Sequence, residues 1–210
     1  MTEQLDINKP EFWEEIYQHG RAGWDLGGPT PVFERLIQSG EFKPGHMIVI
    51  CAGRGHDARE FARHGYRVDA VEFAAEAADA MRAMNDMQNP VLIYQTDMFH
   101  LSKDLNGQYD YVLEYTCMCA IDPNRRNAYA DLVTRLLKPG GIYIDLAFPT
   151  DRRKGGPPFA VVVDEILAMF TARGFKLLRR EIPNDSVPQR KSNEELLIFQ
   201  KTKNPFSETG

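Results

Sequence analysis

The segment Cys51-Ala52-Gly53-Arg54-Gly55 is the first stretch of the chain whose residue types could hold a small molecule. It follows a short apolar run, MIVIC, and leads into GRGHDAREFARHG, so it reads as a glycine turn between a strand and a helix. Glycines there let backbone approach a ligand closely, and the helix N-terminus beside them offers free N–H groups. Glu72 ends the next apolar run about 20 residues on, where an acidic side chain can accept both hydroxyls of a ribose. Asp97 follows the third run in YQTDMF, where a carboxylate suits the exocyclic amine of adenine and Met98 can stack on the ring. Two ligands compete for such residues, a dinucleotide and S-adenosylmethionine (SAM). The dinucleotide pattern GxGxxG is imperfect here, because Ala58 stands at its last glycine and Cys51 directly follows the strand. Alanine is sometimes allowed at that position, so NAD stays open, while Asp97 favours SAM. The structural alternative for Asp97 is a helix N-cap.

These residues need a scaffold that brings three strand ends together. The apolar run MIVIC reads as a strand buried on both faces, and RVDAVE, PVLIYQ, YDYVLEYT and GIYIDLAF read as the next four strands. Helical patterns separate them: the segment after Gly55, AAEAADAMRAMND, and Asn124 to Lys138, which stops at Pro139-Gly140-Gly141. Phe159 to Arg173 is a further helix closed by Gly174, and FKLLRREI and ELLIFQK are the last two strands. Alternating strands and helices predict a doubly wound, mostly parallel seven-stranded α/β sheet. The final two strands have only PNDSVPQRKSN between them, so they form a hairpin and the last strand runs antiparallel. Ahead of the sheet, Pro10 to His19 and Val32 to Gln38 read as helices around the Gly/Pro-rich stretch GRAGWDLGGPTP.

The totals narrow the function. The 210 residues suit one domain, read as a lid over 1–40, a core over 41–202 and a tail over 203–210. A net charge of -5 and a pI near 5.6 argue against a nucleic-acid surface. No stretch approaches the roughly 18 uncharged apolar residues of a membrane span. The polar N-terminus MTEQLDINKPEF is unlike a signal peptide, and Cys51, Cys117 and Cys119 lack disulfide-framework spacing. We therefore expect reduced thiols in a cytoplasmic protein. The five histidines form no metal-ligand pair, and His56 and His64 on one helix are expected to face solvent. No metal and no obligatory protein partner is expected.

Several separated motifs resemble the thiopurine S-methyltransferase-like family of SAM enzymes, which includes the plant thiol/halide methyltransferases. They are FWEEIYQHGRAGWDLGGPTPVF, AGRGHDAREFARHGYRVDAVE, TDMF, EYTCMCAIDPNRR with LLKPGG, GGPPF, and PQRKSNEELLIF, in order from about Phe12 to Lys201. The resemblance implies a Rossmann-like class I SAM methyltransferase with an N-terminal helical lid. It implies SAM as cofactor, S-adenosylhomocysteine as its product, and a small-molecule acceptor, foremost a thiol or another soft nucleophile. Small-molecule O- or N-methylation and a non-catalytic nucleotide-binding protein are the alternatives.

By the same resemblance Trp13, Tyr17 and Trp24 line the cofactor pocket from above, where aromatic faces attract a sulfonium cation. Tyr17 stands where many members have tryptophan. Cys51 replaces the first glycine of the turn, and Glu72 replaces the commoner aspartate. Glu114 and Tyr115 at the end of the fourth strand fall next to the methyl group, Glu114 for the methionine ammonium and Tyr115 to steer the acceptor. A thiol needs only deprotonation, so no catalytic base or metal set is required. Arg190, in the closing segment, is the basic residue placed at the acceptor. Arg152, Arg153, Lys154 and Lys191 are expected to flank the same mouth.

Overall fold

A strand buried on both faces calls for an apolar run, as Met47, Ile48, Val49 and Ile50, all buried, supply at the centre of this fold. The computed structural model describes residues 6–203. Residues 1–5 of the expected lid and all but the first residue of the expected tail lie outside that range. The strands are β1 (His46–Ile50), β2 (Arg67–Glu72), β3 (Val91–Gln95), β4 (Tyr109–Tyr115), β5 (Leu137–Ala147), β6 (Phe175–Glu181) and β7 (Glu195–Lys201). They form one seven-stranded sheet in the order β3-β2-β1-β4-β5-β7-β6. β1 pairs in parallel with β2 and β4, β2 with β3, and β4 with β5. β7 runs antiparallel to both β5 and β6, so the closing hairpin folds its second strand inward.

The burial patterns explain that insertion. Leu196, Leu197, Ile198 and Phe199 of β7 are all buried, as an interior strand requires. β6 alternates, with Lys176, Leu178 and Arg180 exposed, as suits an edge strand that must resist pairing with other chains.

The helices are α1 (Pro10–Gln18), α2 (Pro31–Ser39), α3 (His56–Arg63), α4 (Ala75–Ala83), α5 (Arg126–Leu136) and α6 (Val163–Thr171). Pro10 and Pro31 open α1 and α2 at positions whose N–H would have no helical partner. Period-two alternation sorts the central strands into two cores. Ile48, Ile50, Val112 and Tyr143 pack with α5 and α6, and Met47, Val49, Leu113 and Ile144 pack with α2 and α3. Val32, Phe33 and Leu36 place α2 in the second core. The cavity is covered by Ile7, Asn8, α1 and the loop after it. α1 rests on α4 through Tyr17, Ala74 and Ala77, where the small alanines let it come close. No helix among the described residues is long and apolar enough to cross a membrane.

Two boundaries differ from the sequence reading. The helix expected over Asn124–Lys138 begins with a single 3-10 turn at Pro123–Arg125 and gives way to β5 at Leu137, because Leu137 pairs with Tyr109 across the sheet. The helix expected from Phe159 starts only at Val163. The segment before it is held by Phe159 N–H to the Cys119 carbonyl and Val161 N–H to the Pro149 carbonyl.

Candidate active site

The turn after β1 is built on left-handed backbone. Gly53 (φ 56°) and Gly55 (φ 70°) adopt it freely, and a side chain at Gly55 would collide with Met81, its Cβ lying 2.5 Å from that side chain. Cys51 adopts the same region at φ 52° without glycine's freedom. Glu72, buried at the tip of β2, holds the turn in place. Its Oε2 accepts from Gly53 N–H at 2.7 Å, and its Oε1 accepts from Phe73 and Ala74 N–H at 2.8 and 2.9 Å. Burial pushes the Glu72 carboxyl above its ordinary pKa, against the pull of those three N–H donors.

Above these strand tips lies a cavity of 520 Å³, inside the range of about 300–1,000 Å³ typical of small-molecule sites. Trp13, Tyr17, Trp24, Cys51, Glu72, Asp97, Met98 and Arg190 all line it, as the sequence led us to expect. Trp24 packs edge-on against both Trp13 and Tyr17, at 5.6 and 5.4 Å between centroids, and its indole N–H donates to the Tyr17 hydroxyl at 3.0 Å. A second cavity of 60 Å³ adjoins the first. It is lined by Gly53, Arg54 and Tyr115, and shares Trp24, Cys51 and Thr116 with the larger space.

The Trp-Asp pair of the lid loop owes its place to Asp25. Its carboxylate accepts from Gly27 N–H at 2.9 Å and from Arg54 and His56 at 3.0 Å each, tying the lid to the glycine turn. Burial works to raise this carboxyl, but the Gly27 N–H and the His56 and Arg54 charges outweigh it and hold it below its ordinary pKa. His56 thus faces Asp25 and is half-buried, contrary to the expected solvent-facing position, while His64 is exposed.

At the other end Asp97 caps a turn and also lines the cavity. Oδ1 caps the following 3-10 turn by accepting from Phe99 N–H at 2.9 Å, and Oδ2 remains in the cavity, 3.5 Å from Arg125. Arg125, Phe99, Phe148 and Thr116 are cavity residues that sequence reasoning missed. Arg125 lies 3.9 Å over the Phe99 ring and donates to Asn8 of the lid at 3.0 Å. Its neighbour Arg126 turns away, donating to the Ala160 carbonyl, and no spacing rule tells the two apart.

The geometry corrects the expectations for Glu114 and for the cysteines and puts Tyr115 at the smaller cavity. Glu114 lines neither cavity. It is buried, and its Oε1 accepts from Cys117 and Met118 N–H at 2.8 and 3.1 Å, so it shapes the loop after β4. Tyr115 faces the smaller cavity, and its hydroxyl donates to Glu194 at 2.6 Å, a partner 79 residues away. Cys51 and Cys117, expected as separate reduced thiols, are joined by a disulfide with Cα atoms 5.5 Å apart, while Cys119 is free and buried. Their separation of 66 residues hides that contact in the sequence.

Of the basic residues expected at the mouth, Arg190 lines the larger cavity. It is buried, donates to the Trp24 carbonyl at 2.8 Å, and lies 4.9 Å from the Tyr115 ring and 4.8 Å from the Phe148 ring. Its Nη1 has no hydrogen-bond partner among the described residues. Arg152 and Lys154 line neither cavity, and Arg153 is paired with Asp151 at 2.6 Å. No cluster of three or more His, Cys, Asp or Glu able to hold a metal occurs among the described residues.

Residues 8–204 match the family described as thiopurine S-methyltransferase (TPMT). The chain belongs to that family. Relatives of this family member include a probable thiol methyltransferase 2 of Arabidopsis thaliana, 32% identical over 94% of this chain and 88% of the relative. Thiocyanate methyltransferase 1 of Brassica oleracea is 31% identical over 88% of this chain and 82% of its own length. Among solved structures, a Burkholderia thailandensis 1,6-didemethyltoxoflavin-N1-methyltransferase with bound S-adenosylhomocysteine superposes with a TM-score of 0.73. It covers 92% of this chain and 87% of its own, and at 19% identity it speaks to the fold alone. This TPMT-family chain is a SAM-dependent methyltransferase of a small-molecule acceptor, on the seven-stranded sheet described above.

Proposed function

We propose that the enzyme binds SAM across the two cavities and methylates a small anionic soft nucleophile, a thiolate or a thiocyanate-like anion, beside Arg190. Adenosine fits the Glu72–Asp97 end, where the Asp97 Oδ2 and the remaining lone pair of Glu72 Oε2 offer acceptors for an amine and a hydroxyl. The methionine end fits the smaller cavity by Gly53 and Tyr115, with Trp24 and Cys51 at the junction. The tilted Trp13, Tyr17 and Trp24 rings then surround the sulfonium. SAM supplies a methyl group already activated by its positive sulfur, so the protein's task is alignment and exclusion of water.

The observation that carries the acceptor assignment is the Arg190 side chain. A buried guanidinium with one nitrogen unpartnered, walled by the Tyr115 and Phe148 rings, is a site for an anion. An acceptor that arrives deprotonated needs no general base, and the acceptor sulfur becomes a neutral thioether when its bond to the methyl carbon forms and the cofactor's bond breaks. Tyr115 is not a base in this scheme. Burial raises its hydroxyl pKa, with the Glu194 charge adding to the effect and Arg190 opposing it, so the proton stays in the bond to Glu194. Lid and core act as one methyltransferase domain in this reading, and we place its work in the cytoplasm.

The test is methyl transfer to a panel of nucleophiles, followed by mass detection of product and of S-adenosylhomocysteine. Aromatic thiols, hydrosulfide, thiocyanate and iodide are expected to be methylated, with phenols and amines slower by at least about 100-fold in kcat/KM. A phenol or amine preferred over every thiol and inorganic anion would overturn the acceptor assignment. Cell fractionation checks the compartment.

A further inference from the structure

Cys51 and Cys117 stand at the tips of the adjacent strands β1 and β4, directly beneath the junction of the two cavities. Their Cα separation of 5.5 Å lies in the usual range for a disulfide. Three non-glycine residues among those described have positive φ, and two of them flank this bridge: Cys51 itself (φ 52°) and Thr116 (φ 63°), next to Cys117. A left-handed non-glycine residue is disfavoured and persists only where its surroundings hold it there. The side chain at position 51 is the only part of that residue glycine would lack, and it is spent on the bridge.

The two sulfurs differ in freedom. Cys117 is fully buried, with its Sγ against the Met98 sulfur at 3.8 Å. Cys51 is half-buried and lines both cavities, so it is the one a small oxidant or reductant can reach. Cys119 is a bystander: burial, seconded by the Glu114 charge, pushes its thiol up to about 12, and its Sγ faces the Thr116 carbonyl.

We propose that Cys51 and Cys117 are a reversible thiol–disulfide site in the floor of the cofactor cavity, and that cleaving the bridge weakens cofactor binding. The gating half rests on the placement of SAM proposed above. In the oxidising direction the Cys51 thiolate attacks a hydroperoxide ROOH, releasing ROH and leaving a sulfenic acid. The Cys117 thiol then displaces water to close the bridge, so two thiols lose two electrons and two protons. A small dithiol reverses the step and leaves as its own disulfide. Once the bond is cut, the sulfurs must separate to van der Waals contact. Cys117 is walled in, so Cys51 Sγ moves toward the cavities it lines, at the junction that a bound cofactor has to cross. A reduced compartment makes such a pair a sensor more naturally than a structural staple.

The experiment uses the full-length enzyme treated with hydrogen peroxide or with dithiothreitol, then freed of either. Free thiols are alkylated in denaturant and counted by mass, and S-adenosylhomocysteine affinity is measured by calorimetry. The expected result is one alkylated cysteine, Cys119, after peroxide and three after dithiothreitol, with affinity about fivefold weaker in the reduced enzyme. Cys117→Ser and Cys51→Gly should each abolish the redox dependence, and the glycine variant covers the case that the serine variant folds poorly. Three alkylated cysteines after peroxide, equal affinity in the two states, or a redox response that survives in the variants overturns the proposal. Absence of binding in either state overturns the cofactor placement and the gating with it, and the thiol count then judges the bridge alone.

Discussion

Arg190 donates from Nη2 to the carbonyl of Trp24 at 2.8 Å, so the segment that closes the fold holds the lid loop 166 residues before it. One side chain therefore lines the larger cavity and holds the Trp24 loop that covers it.

Arg190→Ala is expected to lower kcat/KM for an anionic acceptor by about 100-fold or more. The affinity for S-adenosylhomocysteine should fall far less, because Asp25 still ties the lid to the turn through Arg54 and His56. Steady-state kinetics beside calorimetry separate the two, and equal losses in both would remove Arg190 from the acceptor.

Asp97→Ala and Glu72→Ala should each weaken S-adenosylhomocysteine binding about tenfold, or about 1.4 kcal/mol. Only Glu72→Ala should also lower the melting temperature appreciably, since it leaves the Gly53, Phe73 and Ala74 N–H groups without their buried acceptor. Unchanged affinity in both variants would empty the proposed adenosine site.

Arg125→Ala removes the contact that joins Asn8, Phe99 and Asp97. We expect cofactor affinity to fall about fivefold, consistent with a stacked cation worth about 1 kcal/mol. Acrylamide quenching of Trp13 and Trp24 should rise as the lid loosens, and Arg125→Lys should recover part of both effects. Tryptophan quenching identical to wild type would mean that Arg125 does not hold the lid.

Asp57 gives a pH signature. Burial pushes its carboxyl up to about 6 from 3.8, although Thr30 N–H and the Thr30 hydroxyl pull the other way. A folded-state pKa above the unfolded one adds stability that is complete below about pH 4 and disappears as pH rises through about 6. Because Asp57 is partly accessible to water, the effect should be on the order of 1–2 kcal/mol. Denaturant melts of wild type and Asp57→Asn at pH 4 and 7 should show the wild type losing that much relative to the variant. Parallel pH profiles would contradict it.

Glu114 and Asp145 are register partners on β4 and β5, both buried, and burial pushes both carboxyls up. Burial, with the Glu114 charge beside it, pushes the Asp145 carboxyl well above its ordinary range, so Asp145 is the member of the pair that keeps the proton. Asp145→Asn keeps a donor there without a titrating group, so it should equal or exceed wild-type thermal stability at pH 9. Glu114→Ala should cost about 2–3 kcal/mol by stripping the acceptor from Cys117 and Met118 N–H. A strongly destabilised Asp145→Asn would refute the shared proton.

The strands were legible because they are apolar-rich runs set between helical patterns, and the closing antiparallel hairpin followed from a linker too short and polar to hold a crossover helix. Glu72, Asp97 and Met98 were legible because each ends or follows a strand, where a doubly wound sheet exposes its ligand groups, and the lid aromatics were legible through the family resemblance. Side-chain direction was less accessible. Glu114 and Tyr115 are consecutive at a strand end, so one must face each side of the sheet, and the sequence did not say which. Arg125 and Arg126 posed the same choice on a helical turn.

Local periodicity thus determined the order of elements, while the glycine turn, Glu72, Asp97 and the motifs that resemble the family pointed to the site and to SAM, all through residues near one another in the chain. Only the tertiary structure decided the contacts between distant segments: Arg190 with Trp24, Tyr115 with Glu194, Cys51 with Cys117. Such pairings arise when strand order and twist bring separate loops to one end of the sheet, and no spacing within a single segment records that geometry.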